Sequence, residues 1–380
     1  MEIVFWISFV FVFYVFVGYF FILLFLTYIR RVFFLSNFHP RYLMAEPFIS
    51  VVIPIHNGAE FVENKMRSIK ENGYPLDKME LLIGLDGCTD DSMKQLMKWE
   101  NVFPNFKVFN FSKKSNKSNV LNALVQHAQG VIVCFTDIRQ ELAPGAFRAL
   151  IDEFYDSSIG VVSSELVLRS ADGSVKGLGL YWRYEKIIRS LESELDSVSG
   201  ATGALYAIRR DCIPKEIPSG ILLDDVYIPM NAVLRGRRIL FSDRAIVYDS
   251  LQGDAVEFRR KVRTLVGNWQ ILRVSPWLLN PFKNRIFWQY VSHKVFRLLS
   301  SIFLALLYFS SAYLAFRGNG FYTLFFIAQS LFYIMGVIGF FFKCLRKGIF
   351  GISYNFMLLN IAAWIAMLRA LKGDFSVDWR

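Results

Sequence analysis

The chain has 380 residues, enough for one sizeable domain with additional segments. Hydrophobic residues make up 54% of it and aromatic residues 17%, which exceeds the apolar share of an ordinary soluble domain. The net charge is +11, but the basic residues border apolar segments and form no dense soluble patch. This distribution argues against nucleic-acid binding and favours contact with an anionic membrane surface.

The first apolar segment, residues 3–29, carries no charge. At roughly 1.5 Å per residue, a helix of this length is about 40 Å long and crosses a bilayer with some tilt. A cleaved signal peptide would have an apolar region of only about 7–15 residues after a basic start. Because this segment starts with Glu2 and lacks a small-residue cleavage site, it predicts a retained transmembrane anchor over residues 1–31.

Three more uncharged runs, 298–316, 318–342 and 348–368, lie near the C-terminus. The first two are joined by a short "RGN" turn and predict a transmembrane hairpin over 298–342. The third, within 348–370, contains Asn355, Asn360 and Trp364, and it either spans the bilayer or lies in its interface.

Basic residues flank these segments mainly on one side, which predicts the orientation of the chain in the membrane. The flanking residues on that side are Arg30, Arg31, Lys283, Arg285, Lys294, Arg297, Lys343, Arg346 and Lys347. Only Arg317 lies on the other side. We therefore expect a cytoplasmic domain at residues 46–275, followed by a basic interfacial segment at 276–297, in an integral membrane protein.

Metal-binding and nucleotide-loop motifs are scarce in the sequence. The four cysteines include no CxxC pair and the chain has only four His, so a zinc site or a disulfide framework is not expected. Neither GxGxxG nor GxxxxGK[ST] occurs, and a dinucleotide-binding or Walker phosphate loop is therefore not supported. Phosphate recognition here needs side-chain cations or a metal.

From Phe48 onward, short apolar runs alternate with amphipathic stretches. This alternation predicts an α/β fold with a mostly parallel sheet covered by helices on both faces. The predicted strands are 48–55, 79–86, 106–111 and 131–136, and the predicted helices are 58–73, 88–100 and 119–130. Polar stretches follow three of the strands: "HNGAE", "DGCTDDS" and "DIRQ". Ligands of such sheets bind at the carboxyl ends of the strands, so these stretches predict a site.

In order and spacing, these motifs resemble those of membrane-bound family 2 glycosyltransferases with the GT-A fold, a Rossmann-like α/β fold. The resemblance covers roughly residues 48–275. "SVVIPIHNGAEFVENKMRSI" looks like the opening of the family, with Pro54, Asn57 and Glu60 at the donor-binding positions.

The nucleotide motif of the family resembles "GLDGCTDDS". Leu85 stands where the family often has a first acid, so only Asp86 is carried over, as a uracil contact. "NKSNVLNAL" resembles a Gly-Lys-x-x-x-Leu-Asn pattern with Asn116 in place of the glycine. The resemblance implies that Lys117 is a donor-side cation.

The acceptor side and the catalytic base are implied by two later stretches. "SGATGALYAIRRDCI" looks like the acceptor-side loop, with Gly200, Thr202 and Gly203, and Trp269 is a further acceptor-side candidate. "LLDDVYIP" supplies an adjacent diacid, Asp224 and Asp225.

Transfer of a sugar needs a base to deprotonate the acceptor hydroxyl. Repulsion between adjacent carboxylates raises the pKa of one of them toward a useful value. The resemblance assigns the role of base to Asp225. The alternative is that Asp224 only caps the following helix.

The stretch "EFRRKVRTLVGNWQIL" resembles the Gln-x-x-Arg-Trp region of the family. The resemblance implies that basic residues of this stretch contact the departing diphosphate. Arg263 matches the arginine of that region, Arg260 replaces the glutamine, and Thr264 replaces the tryptophan. Arginine suits diphosphate recognition. The stretch also precedes the membrane, so binding of lipid headgroups is the alternative.

The metal motif of the family, Asp-x-Asp, is replaced by "TDIRQ", in which Asp137 matches the first acid and Arg139 replaces the second. Residues two apart in an extended segment face the same side. One hypothesis is that Arg139 pairs with the donor diphosphate, so that activity depends less on Mg²⁺ or Mn²⁺. The other is that Arg139 pairs with Asp137 or Glu141 while a metal still binds through Asp137.

The sequence thus predicts an inverting hexosyltransferase that moves a sugar from a nucleotide-sugar donor, a UDP sugar by resemblance. The acceptor is a lipid-linked or glycan molecule at the cytoplasmic membrane face, in cell-surface polysaccharide synthesis. One alternative is a processive exopolysaccharide synthase, although the loss of tryptophan at Thr264 and the small number of apolar helices disfavour it. Another is a non-catalytic nucleotide-binding member. A transporter is disfavoured because the apolar segments hold few ionisable residues.

Overall fold

The computed structural model describes residues 1–34, 46–169 and 180–376. The chain divides into two compact units. The helical unit comprises Met1–Ile22, Gln252–Val274 and Trp288–Ser376, and the sheet unit comprises Leu23–Leu251 and Ser275–Phe287. Residues 252–274, predicted within the cytoplasmic domain, therefore cluster with the helical unit.

Eight strands and thirteen α-helices lie in the described parts of the chain. The strands are β1 (Ile49–Ile55), β2 (Met79–Asp86), β3 (Phe106–Phe111), β4 (Ile132–Thr136), β5 (Glu141–Leu142), β6 (Ile159–Arg169), β7 (Leu205–Arg209) and β8 (Arg238–Ser250). The helices are α1 (Glu2–Phe13), α2 (Tyr19–Phe34), α3 (Ala59–Lys70), α4 (Ser92–Met97), α5 (Lys117–Gln126), α6 (Ala146–Ile151), α7 (Leu180–Leu195), α8 (Asp224–Leu234), α9 (Asp254–Val274), α10 (Phe287–Tyr290), α11 (Phe296–Phe316), α12 (Gly320–Phe341) and α13 (Gly348–Leu371).

The strands form one mixed sheet in the order β3-β2-β1-β4-β7-β6-β8-β5. The four strands predicted from the sequence, β1 to β4, are parallel to one another, as expected. β7 is antiparallel to both β4 and β6, while β8 is parallel to β6 and antiparallel to β5. The carboxyl ends of β1, β2 and β4 therefore meet along one edge, where the three polar stretches follow them.

Burial explains why the sequences of the central strands are continuous apolar runs. Every residue of β1, β2 and β4 is buried, so both faces of these strands are covered and there is no polar alternation. On one face, α3 packs Val62, Met66 and Ile69 into the core. Each such side chain contributes roughly 1.5–3 kcal/mol by leaving water.

The helical unit contributes to four segments that are long and apolar enough to cross a membrane: Glu2–Phe33, Phe287–Phe316, Gly320–Phe341 and Gly348–Leu371. The second of them begins at Phe287, within the stretch predicted as interfacial. α1 packs on α11, and Phe5 is fully buried in the cluster that they form with Leu307 and Tyr322.

Two π-helical turns, Tyr14–Gly18 and Val291–Val295, interrupt these helices. The turns are linked by a hydrogen bond between the Tyr14 hydroxyl and Ser292 Oγ, at 2.6 Å. This bond satisfies two polar groups inside apolar helices, where an unpaired group is costly.

Candidate active site

The loops after β1 and β2 are joined by hydrogen bonds from their own polar residues. Asn57 adopts a left-handed backbone conformation (φ 50°), which asparagine tolerates better than most residues. Its Oδ1 accepts a hydrogen bond from the backbone N–H of Thr89 at 2.8 Å. Asp90 Oδ2 accepts one from the N–H of Ala59 at 2.9 Å, and this carboxylate also begins α4 by accepting from Ser92. The predicted donor residue Asn57 thus holds the two loops together.

Asp86, at the end of β2, has a fully buried carboxylate. Its Oδ1 accepts hydrogen bonds from the backbone N–H of Ser115 at 2.7 Å and from Ser115 Oγ at 3.0 Å. Its Oδ2 is buried and has no hydrogen-bond partner among the described residues. A buried acceptor without a partner is costly, so this oxygen is suited to an N–H donor of a ligand.

Gly87 allows the chain that carries Ser115 to reach Asp86. Its φ is +59°, and a Cβ there would lie 2.4 Å from the backbone nitrogen of Lys114. Only glycine fits both the backbone conformation and this close approach.

Lys117 lies between two predicted site acids. Its Nζ is 2.9 Å from Asp137 Oδ1 and 3.0 Å from Asp224 Oδ2. Burial alone lowers the pKa of this ammonium, but the carboxylates of Asp137 and Asp224 outweigh burial and raise it. Lys117 is therefore a fixed positive charge that joins the end of β4 to the start of α8.

Asn116, which replaces the family glycine, has a structural role at the start of α5. It is the N-cap, and its Oδ1 accepts a hydrogen bond from the backbone N–H of Asn119 at 3.0 Å. The cap fixes the first turn of the helix on which Lys117 is the first residue.

Asp224 and Asp225 occupy the first turn of α8, and the N-cap is Leu223. The alternative interpretation of Asp224 as the helix cap is therefore wrong. Its carboxylate is almost fully buried and pairs with Lys117 instead.

The side chain of Asp225 is directed to the predicted acceptor-side loop. Its Oδ2 accepts a hydrogen bond from the backbone N–H of Gly203 at 3.1 Å. Its backbone carbonyl accepts one from the N–H of Ala201 at 2.8 Å. A Cβ on residue 203 would lie 3.0 Å from Oδ2, so a larger residue there would push the carboxylate slightly away from the loop. The structure thus brings the predicted base and the predicted acceptor loop together.

Arg189 on α7, which was not predicted from the sequence as a site residue, supports the same loop. Its guanidinium donates to Thr202 Oγ1 at 2.9 Å and to Ser163 Oγ at 2.8 Å, and it lies over the ring of Phe241. Burial lowers its pKa, while neighbouring carboxylates, Asp225 among them, act in the opposite direction. No local motif marks this arginine, because its partners are on β6 and on the loop before β7.

Arg139 pairs with a residue that neither hypothesis named. Its Nη2 lies 2.6 Å from Oδ2 of Asp249 on β8, and Gln140 Nε2 donates to the same oxygen at 3.1 Å. The expected pairing of Arg139 with Asp137 or Glu141 is not what the structure shows. Glu141 accepts a hydrogen bond from Asn64 instead. Asp249 is the last of three alternating buried residues on β8, after Ala245 and Val247. This alternation in the sequence indicates that the side chain of Asp249 is buried.

Lys65 is a second basic residue at the site that was not predicted from the sequence. It is fully buried, and its Nζ donates to Thr136 Oγ1 at 2.8 Å, at the end of β4. Burial lowers its pKa to about 7, although Asp137, Glu141 and Asp249 act to raise it. Lys65 lies on the apolar face of α3, between Val62 and Met66, and this position in the sequence indicates that its side chain is buried.

The remaining predicted residues are less closely grouped. Pro54 is buried within β1, and Glu60 is exposed in the first turn of α3. Gly200 has a positive φ of 133° and precedes Ala201 in the acceptor-side loop.

Three predicted residues lie on α9, in the helical unit. They are Arg260, Arg263 and Trp269. Arg260 pairs with Glu257 one turn earlier, at 3.0 Å. The diphosphate and acceptor roles of these residues stay predictions.

The corner at Asp137 does not fit a divalent cation. Such an ion needs about six oxygen ligands, of which carboxylates are the principal protein contribution. Here one acid is bound to an ammonium, and the second position of the motif carries a guanidinium. Among the described residues, no group of three or more His, Cys, Asp or Glu is placed to hold a metal ion.

Comparison with known proteins shows what the chain is similar to. The model of the glycosyl transferase family 2 matches residues 50–213. Glycosyltransferase AglE of Haloferax volcanii is 24% identical over 91 residues, which are 24% of this chain and 30% of that protein. TuaG of Bacillus subtilis, whose name assigns it provisionally to teichuronic acid biosynthesis, is 26% identical over 92 residues, or 24% of this chain and 36% of TuaG. The alignments therefore span about a third of each relative.

A solved structure resembles the fold over nearly its whole length. The mannosyltransferase PcManGT of Pyrobaculum calidifontis, in complex with GDP-Man and Mn²⁺, superposes with a TM-score of 0.70 at 17% identity. The match covers 95% of this chain and 98% of that one. At this identity the likeness concerns the fold, and the predicted GT-A architecture with additional apolar helices is confirmed.

Proposed function

Because residues 50–213 match the model of glycosyl transferase family 2, we propose that this chain moves a sugar from a nucleotide sugar to an acceptor hydroxyl, with inversion at the anomeric carbon. One observation carries the proposal. The Asp225 carboxylate is held at the acceptor-side loop by Gly203, and the same helix start is joined through Asp224 and Lys117 to the strand end at Asp137. These contacts support a site in which the base Asp225 and the cation Lys117 lie close together at one edge of the sheet.

The proposed reaction needs two groups of this chain. Asp225 accepts the proton of the acceptor hydroxyl, and the resulting oxygen attacks the anomeric carbon as the bond to the diphosphate breaks. The leaving nucleoside diphosphate gains negative charge, which Lys117 stabilises. Asp225 then releases its proton to water.

The donor is proposed to be a UDP sugar, recognised at its base by Asp86. The unpaired, buried Oδ2 of Asp86 matches the N3–H of uracil, which needs a single acceptor. The name of PcManGT specifies GDP-Man, so a guanosine donor is the comparison to test.

The acceptor is proposed to be lipid-linked or a glycan, at the cytoplasmic face of the membrane. Four apolar segments support membrane association, and the basic residues that flank them favour the cytoplasmic orientation. A membrane-anchored site is held near an acceptor that stays in the bilayer, which raises the effective concentration of that acceptor. We propose single transfer in cell-surface polysaccharide synthesis, and the length of the product distinguishes it from processive synthesis.

The proposal is tested with the full-length protein purified in detergent. Radiolabelled UDP and GDP sugars are screened for transfer to membrane lipid extracts, in parallel with Asp225→Asn. We expect transfer by the wild-type protein, and in the variant unchanged affinity for the nucleoside diphosphate with transfer reduced at least 100-fold. Unchanged turnover in Asp225→Asn would refute the role of Asp225.

A further inference from the structure

Three basic side chains surround the strand end at which the family places a metal. Lys117 bridges Asp137 and Asp224, Arg139 is bound to Asp249, and Lys65 is buried behind Thr136. All three are on the sheet unit and come from α5, from the turn after β4 and from α3, respectively. The carboxylates nearest to this strand end are therefore already engaged by basic side chains of the protein.

Lys117 is placed where it joins the two acids itself. Its Nζ lies about 3 Å from a carboxylate oxygen of each, so those oxygens are no more than about 6 Å apart. In a metal-dependent site, a divalent ion links the protein carboxylate to the diphosphate of the donor. An ammonium has three N–H donors, so Lys117 can keep a carboxylate and still donate to a phosphate oxygen.

We infer that Lys117 takes the place of the divalent cation in this chain, so that it binds a nucleoside diphosphate without added metal. The inference rests on the proposed function, because it concerns the donor of that reaction. Arg139 contributes by occupying the second ligand position, where a guanidinium cannot ligate a cation and where it already engages the carboxylate of Asp249.

The first test measures binding of UDP and GDP to the full-length protein by isothermal titration calorimetry, in EDTA and in Mn²⁺. Of UDP and GDP, one should bind more tightly. For that nucleotide, we expect the Kd in EDTA and the Kd in Mn²⁺ to agree within threefold. Binding that appears only with Mn²⁺ overturns the inference and leaves the proposed function standing. No binding of either nucleotide in either buffer overturns both.

The second test removes the ammonium. Lys117→Met leaves Asp137 and Asp224 as uncompensated neighbours, which is an arrangement that attracts a divalent ion. We expect affinity in EDTA to fall at least tenfold and Mn²⁺ to restore part of it.

Lys98→Met is the matched control, because Lys98 is exposed on the sheet unit and contacts only Gln95 among the interactions described for it. It should bind as the wild type does in both buffers. Metal-free binding by Lys117→Met equal to that of the wild type would overturn the inference. If Lys117→Met does not fold, Lys117→Arg keeps the charge and should retain metal-free binding, and a strict need for Mn²⁺ in that variant would count against the inference.

Discussion

The backbone N–H of Gly203 donates a hydrogen bond to Oδ2 of Asp225 over 3.1 Å, and a Cβ on residue 203 would lie 3.0 Å from that oxygen. The acceptor-side loop thus sets the position of the proposed base. Gly203→Ala should move the carboxylate by a few tenths of an ångström and lower kcat about tenfold, because a misplacement of about 1 Å costs roughly 100-fold. Steady-state kinetics of the purified variant checks this. Gly253→Ala, which adds a methyl group where no atom lies within 4 Å, should leave kcat unchanged.

Asp86→Asn should weaken nucleotide binding with little change in fold. The amide oxygen of asparagine can replace Oδ1 as acceptor for Ser115, but its NH₂ group replaces the unpaired Oδ2 with a donor. A donor facing the N–H of a base removes one hydrogen bond and adds a repulsive contact, which costs roughly 2 kcal/mol, or about 30-fold in Kd. Calorimetry with UMP, which lacks the diphosphate, isolates this effect. An affinity equal to that of the wild type would remove Asp86 from the base-binding site.

Asp249→Asn should destabilise the protein more than loss of a surface ion pair does. Its carboxylate is almost fully buried and binds both Arg139 and Gln140. Removing the charge leaves a largely buried guanidinium without a carboxylate, at a cost of about 3 kcal/mol. Thermal unfolding in detergent should show a clear fall in Tm. Glu63→Gln breaks the half-exposed pair with Arg67 and should change stability by less than about 0.5 kcal/mol.

The parallel half of the sheet could be predicted from the sequence because three of its four strands, β1, β2 and β4, are buried on both faces. Predicted residues 79–86 and 106–111 coincide with β2 and β3, and their carboxyl ends carry the polar residues that the site uses. The partner of Arg139 could not be predicted locally. Asp249 lies 110 residues later and reaches Arg139 only because β8 is the neighbour of β5 in the sheet.

Lys65 and Arg189 were missed for a related reason. Each lies in an amphipathic stretch in which a basic residue is usually solvated. Here Lys65 is buried and Arg189 is half-buried, and each donates hydrogen bonds to an oxygen atom that is distant in the sequence. Sequence periodicity reports which face of a helix is buried. It does not report the chemistry of the strand end against which that face packs.

The burial of Lys65 predicts how stability depends on pH. Its pKa is 10.5 in a model compound and about 7 here, because burial disfavours the charged form. Between pH 7 and pH 10.5 the unfolded chain therefore binds more protons than the folded one, so the contribution of Lys65 to the free energy of unfolding rises with pH in this window. Below pH 7 the folded protein bears the full penalty of a buried ammonium.

Lys65→Met removes that penalty and should raise Tm by roughly 5 °C or more at pH 6, for a gain on the order of 2–3 kcal/mol. The gain should shrink as pH rises toward 10, where the wild-type lysine is neutral in the folded state. Thermal unfolding of both proteins at pH 6, 8 and 10 measures the difference directly. Lys98→Met, at an exposed site, should show no such trend. A difference between wild type and Lys65→Met that stays constant across these pH values would mean that Lys65 remains charged, held by Asp137, Glu141 and Asp249.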